Sequence, residues 1–218
     1  MRVSLPQKVL QAQSLRREKT PYPGYLGEIR RIQPTGPYHI LGWSVGGAIA
    51  HSMAAMLQAD GEEVALLAML DAYPGDQWCH LDAPGEQDAL TALLNIAGHE
   101  RDAYRGGTLD RAGVMALLSR AGGPLASLNP ARLAALIDIA TNNIRLLRQC
   151  RHGIFRGDVL FFTAAKPRPE NWLTRDSWSA YVDGRIENVD IDCTHPAMLH
   201  PSSLAVIGPI LRSRMAIR

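Results

Sequence analysis

Apolar and polar residues form two patterns along the chain. The first consists of short continuous apolar segments, and its clearest example is the run of seven apolar residues from Val64 to Leu70. A run of this kind predicts a strand covered on both faces, as in a parallel sheet. A shorter apolar segment starts at Tyr38, and the residues between the two have a helical pattern that ends at Asp60-Gly61. The order strand, helix, strand is typical of a right-handed crossover unit.

The second pattern covers the part of the chain between Pro74 and Arg151, where apolar residues recur three and four positions apart. This spacing predicts helices rather than strands. The three predicted helices are Gln87 to Ala97, a segment from the candidate N-cap Thr108 to Gly122-Gly123, and a segment opened by the cap Asn129 and by Pro130. We interpret residues 76–151 as a helical insertion that forms a lid over a site, with an ordinary helical layer on the sheet as the alternative.

Further segments complete a fold of the α/β class. The additional strands are predicted over Lys8–Leu15, Asp158–Thr163 and Gly184–Ile191, and the additional helices over Tyr25–Gln33 and Ser202–Met215, the last one bent at Gly208-Pro209. We therefore predict a mostly parallel sheet with helices on both faces, in a single domain over residues 1–218.

Composition narrows the class of protein. The 218 residues are 46% hydrophobic and 20% charged, and the net charge of +2 comes without a basic block, which argues against nucleic-acid binding. The sequence shows neither the apolar core of a signal peptide nor a run long enough to span a membrane, so we expect a cytoplasmic protein. Cys79, Cys150 and Cys193 lie far apart without a C-x-x-C motif, which predicts reduced thiols and no metal site.

The strongest motif is Gly42-Trp43-Ser44-Val45-Gly46, a G-x-S-x-G pattern between the first predicted strand of the crossover unit and its helix. This context is typical of a nucleophile elbow, a sharp strand-to-helix turn that exposes a serine Oγ beside the positive end of a helix. Glycines are expected in the pattern because larger residues would collide with the flanking strand and helix. The motif therefore predicts Ser44 as a nucleophile.

A serine hydroxyl needs a base within hydrogen-bond distance and a carboxylate that orients this base. In α/β-hydrolases these residues occur along the chain in the order serine, acid, histidine, and Ser44, Asp71 and His195 follow it. His200 is the nearby rival of His195. The acid usually follows a later strand, where this chain offers Glu170 as the nearest carboxylate, so Glu170 is the alternative to Asp71.

A family resemblance rests on four segments: Gly36-Pro37-Tyr38-His39-Ile40-Leu41-Gly42-Trp43-Ser44-Val45-Gly46-Gly47, Leu70-Asp71-Ala72-Tyr73-Pro74, Asp192-Cys193-Thr194-His195 and Ile207-Gly208-Pro209-Ile210-Leu211. In this order they resemble the terminal thioesterase domain of nonribosomal peptide synthetases, an α/β-hydrolase family, over nearly the whole chain. The segment that contains His195 is most similar to thioesterases of siderophore-type synthetases.

The resemblance implies a function and a partner. Ser44 would take a peptidyl or acyl chain from the phosphopantetheine arm of a carrier protein domain, with His195 as base and then acid and Asp71 as the residue that orients it. Water or a nucleophile within the bound chain would then release the product. The domain itself would need no cofactor, because the partner carries the substrate.

One part of the family pattern is missing from the sequence. Family members begin with further strands and a His-Pro-x-Gly-type loop that gives one backbone N–H to the tetrahedral oxyanion, and nothing upstream of Lys8 matches it. We therefore interpret the chain as truncated at its N-terminus, with the N–H of Val45 as the remaining donor. The loss of one donor typically lowers turnover about 100-fold to 1000-fold.

Three functions therefore stay open at the level of sequence. The first is a releasing thioesterase, and the second is a stand-alone editing thioesterase or general esterase, which is expected to carry its acid after the later strand. The third is an impaired remnant that only binds a carrier protein.

Overall fold

The computed structural model describes residues 23–99, 109–120, 128–168 and 170–216. Its helices are α1 (Pro23–Ile32), α2 (Val45–Ala59), α3 (Glu86–Ile96), α4 (Arg111–Arg120), α5 (Pro130–Gln149) and α6 (Pro201–Ala216). Its strands are β1 (Tyr38–Trp43), β2 (Val64–Leu70), β3 (Phe155–Arg156), β4 (Val159–Ala164), β5 (Val182–Asp183) and β6 (Ile186–Ile191). Short 3₁₀ helices cover Gly75–Trp78, Arg175–Ala180 and Pro196–Leu199.

Within the described residues, the main sheet has four parallel strands in the order β1, β2, β4, β6. Strand β2 has the bounds that its apolar run predicts, and β4 and β6 lie within two residues of their predicted bounds. The short strands β3 and β5 pair in parallel beside it. Because all four main strands run in one direction, their carboxyl ends meet at one edge of the sheet, where α/β folds place their sites.

Helices cover the sheet on both faces. Leu67 and Met69 of β2 belong to the apolar cluster beneath α2, whereas Leu70 belongs to the cluster that contains Ile207 of α6. This alternation is the side-chain period of two that a strand imposes. The predicted α/β class is therefore confirmed.

The three predicted helices between β2 and β4 are present and have a core of their own. Asn129 caps α5 as predicted, with its Oδ1 accepting from the Arg132 N–H at 2.9 Å and with Pro130 as the first helical residue. The fully buried members of this core are Leu90, Leu94, Val114, Leu118, Leu133 and Ile137.

The start of α4 differs from the prediction. The helix begins at Arg111, and Asp110 Oδ1 accepts a hydrogen bond from the Gly113 N–H at 2.7 Å, which is the geometry of an N-cap. Thr108, the cap expected from the sequence, lies outside the described residues, as do Gly122-Gly123 and the strand expected over Lys8–Leu15.

Candidate active site

The turn between β1 and α2 exposes Ser44 at the carboxyl edge of the sheet. Ser44 has φ 55° and ψ −129°, a conformation that L residues rarely adopt, and its N–H donates to the Leu70 carbonyl at 3.0 Å. Backbone strain of this kind persists only where the surrounding structure enforces it, and it is typical of functional sites. The predicted strand, turn and helix of a nucleophile elbow are therefore all present.

Two glycines make the sharp turn possible, and only the first of them, Gly42, belongs to the G-x-S-x-G motif. A Cβ on Gly42 would lie 2.1 Å from the Gly46 carbonyl oxygen, and a Cβ on Gly47 would lie 2.3 Å from the Ala72 Cβ. A Cβ on Gly46 meets nothing within 4 Å. The expectation of crowding at Gly46 was wrong, because the first turn of α2 presents the next residue to the end of β2.

His195 joins the serine to the aspartate. Its Nε2 lies 3.0 Å from Ser44 Oγ and its Nδ1 lies 2.7 Å from Asp71 Oδ2. An ionised carboxylate only accepts hydrogen bonds, so Nδ1 carries the proton and Nε2 is free to accept from the serine hydroxyl. The structure thus brings together the three residues that the sequence singled out.

The two rival residues lie elsewhere. Among the described residues, Asp71 is the carboxylate hydrogen-bonded to His195, and Glu170 makes no such contact. His200 instead has its Nδ1 2.9 Å from Ser202 Oγ at the start of α6.

Trp43 and Val45 flank the serine and border the same site. The Trp43 ring stacks on the His195 imidazole, with ring centroids 5.2 Å apart and an angle of 26° between the planes. Val45 is the first residue of α2, where a backbone N–H has no partner within the helix and points out of its positive end. This N–H is therefore in a place suited to an oxyanion.

Asp71 is buried and accepts from several donors besides His195. Its Oδ1 accepts from the Tyr73 hydroxyl at 2.7 Å and from the Ala164 N–H at 3.2 Å. Arg168 Nη1 lies 3.0 Å from Oδ1 and 2.9 Å from Oδ2, and Arg168 Nη2 donates to the Tyr73 oxygen at 2.5 Å. The carboxylate is thus surrounded by donors on both oxygens.

These donors keep the aspartate ionised. Burial works to raise the pKa of Asp71, but hydrogen bonds from His195 and Tyr73 and the nearby charges of His195 and Arg168 outweigh it and hold this pKa below its usual range. Burial and the charge of Asp71 raise the pKa of Tyr73, so its hydroxyl keeps its proton.

The sequence prediction missed Tyr73 and Arg168. Tyr73 lies two residues after Asp71, so its proximity was readable from the sequence. Arg168 lies 97 positions away and follows a different strand, β4, so no local pattern signalled its contact with Asp71.

Two properties of the described residues concern metal ions and membranes. Within residues 23–99, 109–120, 128–168 and 170–216, no group of three or more His, Cys, Asp or Glu side chains is placed to hold a metal ion. No helix in the same ranges has both the length and the apolar character needed to cross a membrane.

A parallel sheet with serine, aspartate and histidine at its carboxyl edge defines an α/β-hydrolase fold, and solved structures share it. The thioesterase domain that cyclises the lipopeptide antibiotic surfactin is 21% identical, with a TM-score of 0.62 over 89% of this chain and 74% of that chain. A four-domain nonribosomal peptide synthetase bound to AMP and glycine is 17% identical, with a TM-score of 0.71 over 94% of this chain and 16% of that chain.

The chain belongs to the thioesterase domain family, a family of hydrolases that act on thioesters, and residues 22–212 match its family model. A dimodular nonribosomal peptide synthase of Bacillus subtilis (strain 168) is 41% identical over 192 residues, or 88% of this chain. Enterobactin synthase component F of Escherichia coli (strain K12) is 28% identical over 193 residues, also 88% of this chain. The chain spans 8% and 13% of the length of these two relatives. The resemblance to thioesterase domains of nonribosomal peptide synthetases is confirmed.

Proposed function

We propose that this chain releases a peptidyl or acyl chain from the phosphopantetheine thioester of a carrier protein domain, through an acyl-enzyme on Ser44. The observation that supports the proposal is the hydrogen-bonded series Ser44, His195, Asp71 at the sheet edge of a chain that belongs to the thioesterase family. The similarity of this chain to a short part of a dimodular nonribosomal peptide synthase of Bacillus subtilis supports the carrier domain as partner.

The first half of the reaction forms the acyl-enzyme. His195 Nε2 takes the proton of the Ser44 hydroxyl while Oγ attacks the thioester carbonyl carbon, and the negative charge on the carbonyl oxygen is stabilised by the Val45 N–H. The intermediate collapses with cleavage of the C–S bond, and the proton held by His195 passes to the departing thiolate. Asp71 stabilises the transient imidazolium without taking its proton.

The second half releases the product. His195 takes a proton from water, or from an amine or hydroxyl of the bound chain, while this nucleophile attacks the ester carbonyl. The bond from the carbonyl carbon to Ser44 Oγ then breaks, and the proton returns from His195 to Oγ. Water gives hydrolysis, whereas a nucleophile within the chain gives cyclisation.

The helical segment over residues 76–151 acts in this proposal as a lid. Helix α3 lies beside the 3₁₀ helix Pro196–Leu199 that directly follows His195. The apolar cluster shared by α3, α4 and α5 holds these helices together, and Leu147 near the end of α5 joins them to the cluster beneath α2.

A fluorophosphonate probe tests the proposal. The purified chain is incubated with the probe and its intact mass is measured, with Ser44→Ala as control and circular dichroism to establish that both are folded. We expect a single adduct, in which the probe phosphorus is bonded to Oγ with loss of fluoride, and no adduct in Ser44→Ala. A folded chain that stays unlabelled would contradict the proposal and favour a remnant that binds a carrier without acylation.

A second comparison separates the releasing thioesterase from an editing thioesterase or general esterase with a different acid. Asp71→Asn and Glu170→Gln are labelled side by side at neutral pH. Loss of labelling in Asp71→Asn alone supports the proposal, whereas loss in Glu170→Gln alone would indicate that the acid follows the later strand.

A further inference from the structure

The loop that follows β4 carries a cation at the place where an α/β-hydrolase usually carries its acid. β4 lies between β2 and β6, so a residue beyond its carboxyl end faces both Asp71, which follows β2, and His195, which follows β6. Arg168 fills this place with a guanidinium group whose side chain is 19% exposed. Each of the four main strands that the structure describes is therefore followed by one member of a polar network: Ser44, Asp71, Arg168 and His195.

The fork of Arg168 fixes the direction of the hydrogen bond between Tyr73 and the carboxylate. A guanidinium has donors only, so the Tyr73 oxygen must accept from Arg168 Nη2 and its proton must point to Asp71 Oδ1. Oδ1 also accepts from the Ala164 N–H. These donors on Oδ1 set the rotation of the carboxylate group, and in this rotation Oδ2 faces His195 Nδ1.

We propose that Arg168 is a positioning residue, which holds the Asp71 carboxylate ionised and turned towards His195 through its direct ion pair and through Tyr73. This inference rests on the proposed function, because it gives Arg168 its role through the same serine, histidine and aspartate. Asp71 is 1% exposed, and removing the cation partner of a buried carboxylate is strongly destabilising because the charge that remains is uncompensated. Arg168 supplies that cation in the resting state, when His195 is neutral.

Among the groups around Asp71 and His195, Arg168 is the charge that compensates the Asp71 carboxylate. Tyr73 and Cys193 face Asp71, and burial raises the pKa of both, so both stay neutral near pH 7. Asp192 and Lys166 lie beyond Cys193 and carry opposite charges. Without Arg168, the negative field of Asp71 is uncompensated, and the pair of Asp71 and His195 takes up a proton at higher pH.

The test is the rate of labelling by a fluorophosphonate probe between pH 5 and pH 9, measured by intact mass in the wild type, Arg168→Met and Arg168→Lys. Neutral His195 is required for labelling, so the acid side of the profile reports proton uptake by the pair. We expect Arg168→Met to move this acid side up by about one pH unit and to lower the rate at pH 7 by about tenfold or more. Should Arg168→Met not fold, Arg168→Gln replaces it.

Arg168→Lys separates charge from geometry. A lysine keeps the cation but cannot donate to Asp71 and Tyr73 as a planar fork. We expect the acid side of the profile to stay near that of the wild type, while the rate falls several-fold at every pH. Arg185→Met, which removes an exposed ion pair with Asp158, is the matched control and should label like the wild type.

The outcomes distinguish the inference from the proposed function. A folded wild-type chain without labelling would overturn both. A labelled wild type together with an Arg168→Met or Arg168→Gln profile of the same midpoint and rate would overturn the positioning role alone. Wild-type behaviour in Arg168→Lys would limit the role to charge and contradict the contribution of the fork.

Discussion

Two serine and histidine pairs in this chain have the same oxygen-to-nitrogen distance, and only one of them is arranged for nucleophilic chemistry. Ser44 Oγ lies 3.0 Å from His195 Nε2, and Ser52 Oγ lies 3.0 Å from His152 Nδ1. Ser52 is on α2, about two helical turns beyond the elbow. Distance between the two atoms therefore does not identify a nucleophile, and the difference lies in what each ring contacts on its other side.

The second ring nitrogen of His195 contacts the Asp71 carboxylate, whereas the second ring nitrogen of His152 contacts the Gly75 backbone N–H. Asp71 fixes the proton of His195 on Nδ1 and leaves Nε2 as an acceptor for Ser44. The Gly75 N–H points to His152 Nε2 at 3.4 Å, so the proton of this ring is on Nδ1, which donates to Ser52. His152 is thus a donor to its serine and is unable to take the serine proton.

The second pair is also kept neutral by its surroundings. The His152 ring packs edge-on against His51, with ring centroids 5.4 Å apart, and His51 Nε2 donates to the Tyr181 carbonyl oxygen at 2.9 Å. Burial lowers the pKa of His51 to about 4, and burial together with the charge of His51 lowers the pKa of His152 to about 3. The core pair is therefore a packing element, and the pair at the sheet edge is the reactive one.

The largest expected effect comes from removing the carboxylate that distinguishes the two pairs. In Asp71→Asn the amide no longer fixes the His195 tautomer, and we expect the labelling rate to fall about 10³-fold to 10⁴-fold at pH 7. Fluorophosphonate labelling followed by intact mass measures the loss, and Glu170→Gln is the control that should label at the wild-type rate. A rate within tenfold of the wild type in Asp71→Asn would mean that the two pairs differ for another reason.

Acid should destabilise the molecule through His51, which packs against the core pair of Ser52 and His152. The folded-state pKa of His51, about 4, is depressed below its unfolded value of about 6.5, so its stabilising contribution is present above pH 6.5 and is lost as the pH falls. Between pH 7 and pH 4.5 the unfolded chain binds more protons, and we expect the free energy of unfolding to fall by roughly 2–3 kcal/mol from this residue.

Urea unfolding at pH 7 and pH 4.5 measures this loss. His51→Gln has no titrating ring and should show a smaller decrease than the wild type, whereas His200→Gln, at an exposed position, should show the same decrease as the wild type. An equal decrease in His51→Gln and the wild type would contradict the depressed pKa of His51. The depressed pKa of Asp71 acts in the same direction only at lower pH, outside this window.

The reactive pair was predictable from the sequence because its parts follow local rules. The elbow needs a strand, a tight turn and a helix within about 20 residues, and these produce visible patterns around Ser44. Asp71 directly follows a buried strand, and parallel strands bring such positions to one edge. The bounds of β2 and the Asn129 cap of α5 were predictable for the same reason, since apolar runs and caps are local signals.

The parts that the sequence did not reveal depend on contacts between distant segments. Arg168 acquires its partners only when the loop after β4 folds over the end of β2, and an isolated arginine beside prolines has no distinguishing pattern. The crowding at Gly47 instead of Gly46 depends on where Ala72 lies, which is again a contact between distant segments, the first turn of α2 and the end of β2. The proton arrangement of His152 likewise requires the position of the Gly75 N–H.

A matched pair of glycine variants tests whether the close approach of Gly47 to Ala72 shapes the turn that carries Ser44. Gly47→Ala places a methyl group 2.3 Å from the Ala72 Cβ, and we expect a loss of about 1–3 kcal/mol in the free energy of unfolding. Gly46→Ala meets nothing within 4 Å in the first turn of a helix, and we expect a change within about 1 kcal/mol. Urea unfolding measures both, and equal losses would contradict the close approach.

The smallest expected effect on labelling comes from removing the core serine. Ser52→Ala deprives His152 Nδ1 of its acceptor, and we expect a loss of about 1 kcal/mol in the free energy of unfolding because a buried donor loses its partner. Labelling should stay within about twofold of the wild type, since Ser52 is 1% exposed and its histidine is a donor. Ser44→Ala should give the reverse result, without labelling and with nearly unchanged stability. A loss of labelling in Ser52→Ala at normal stability would show that the two pairs are coupled through α2. The comparison between a reactive pair and a packing pair would then be wrong.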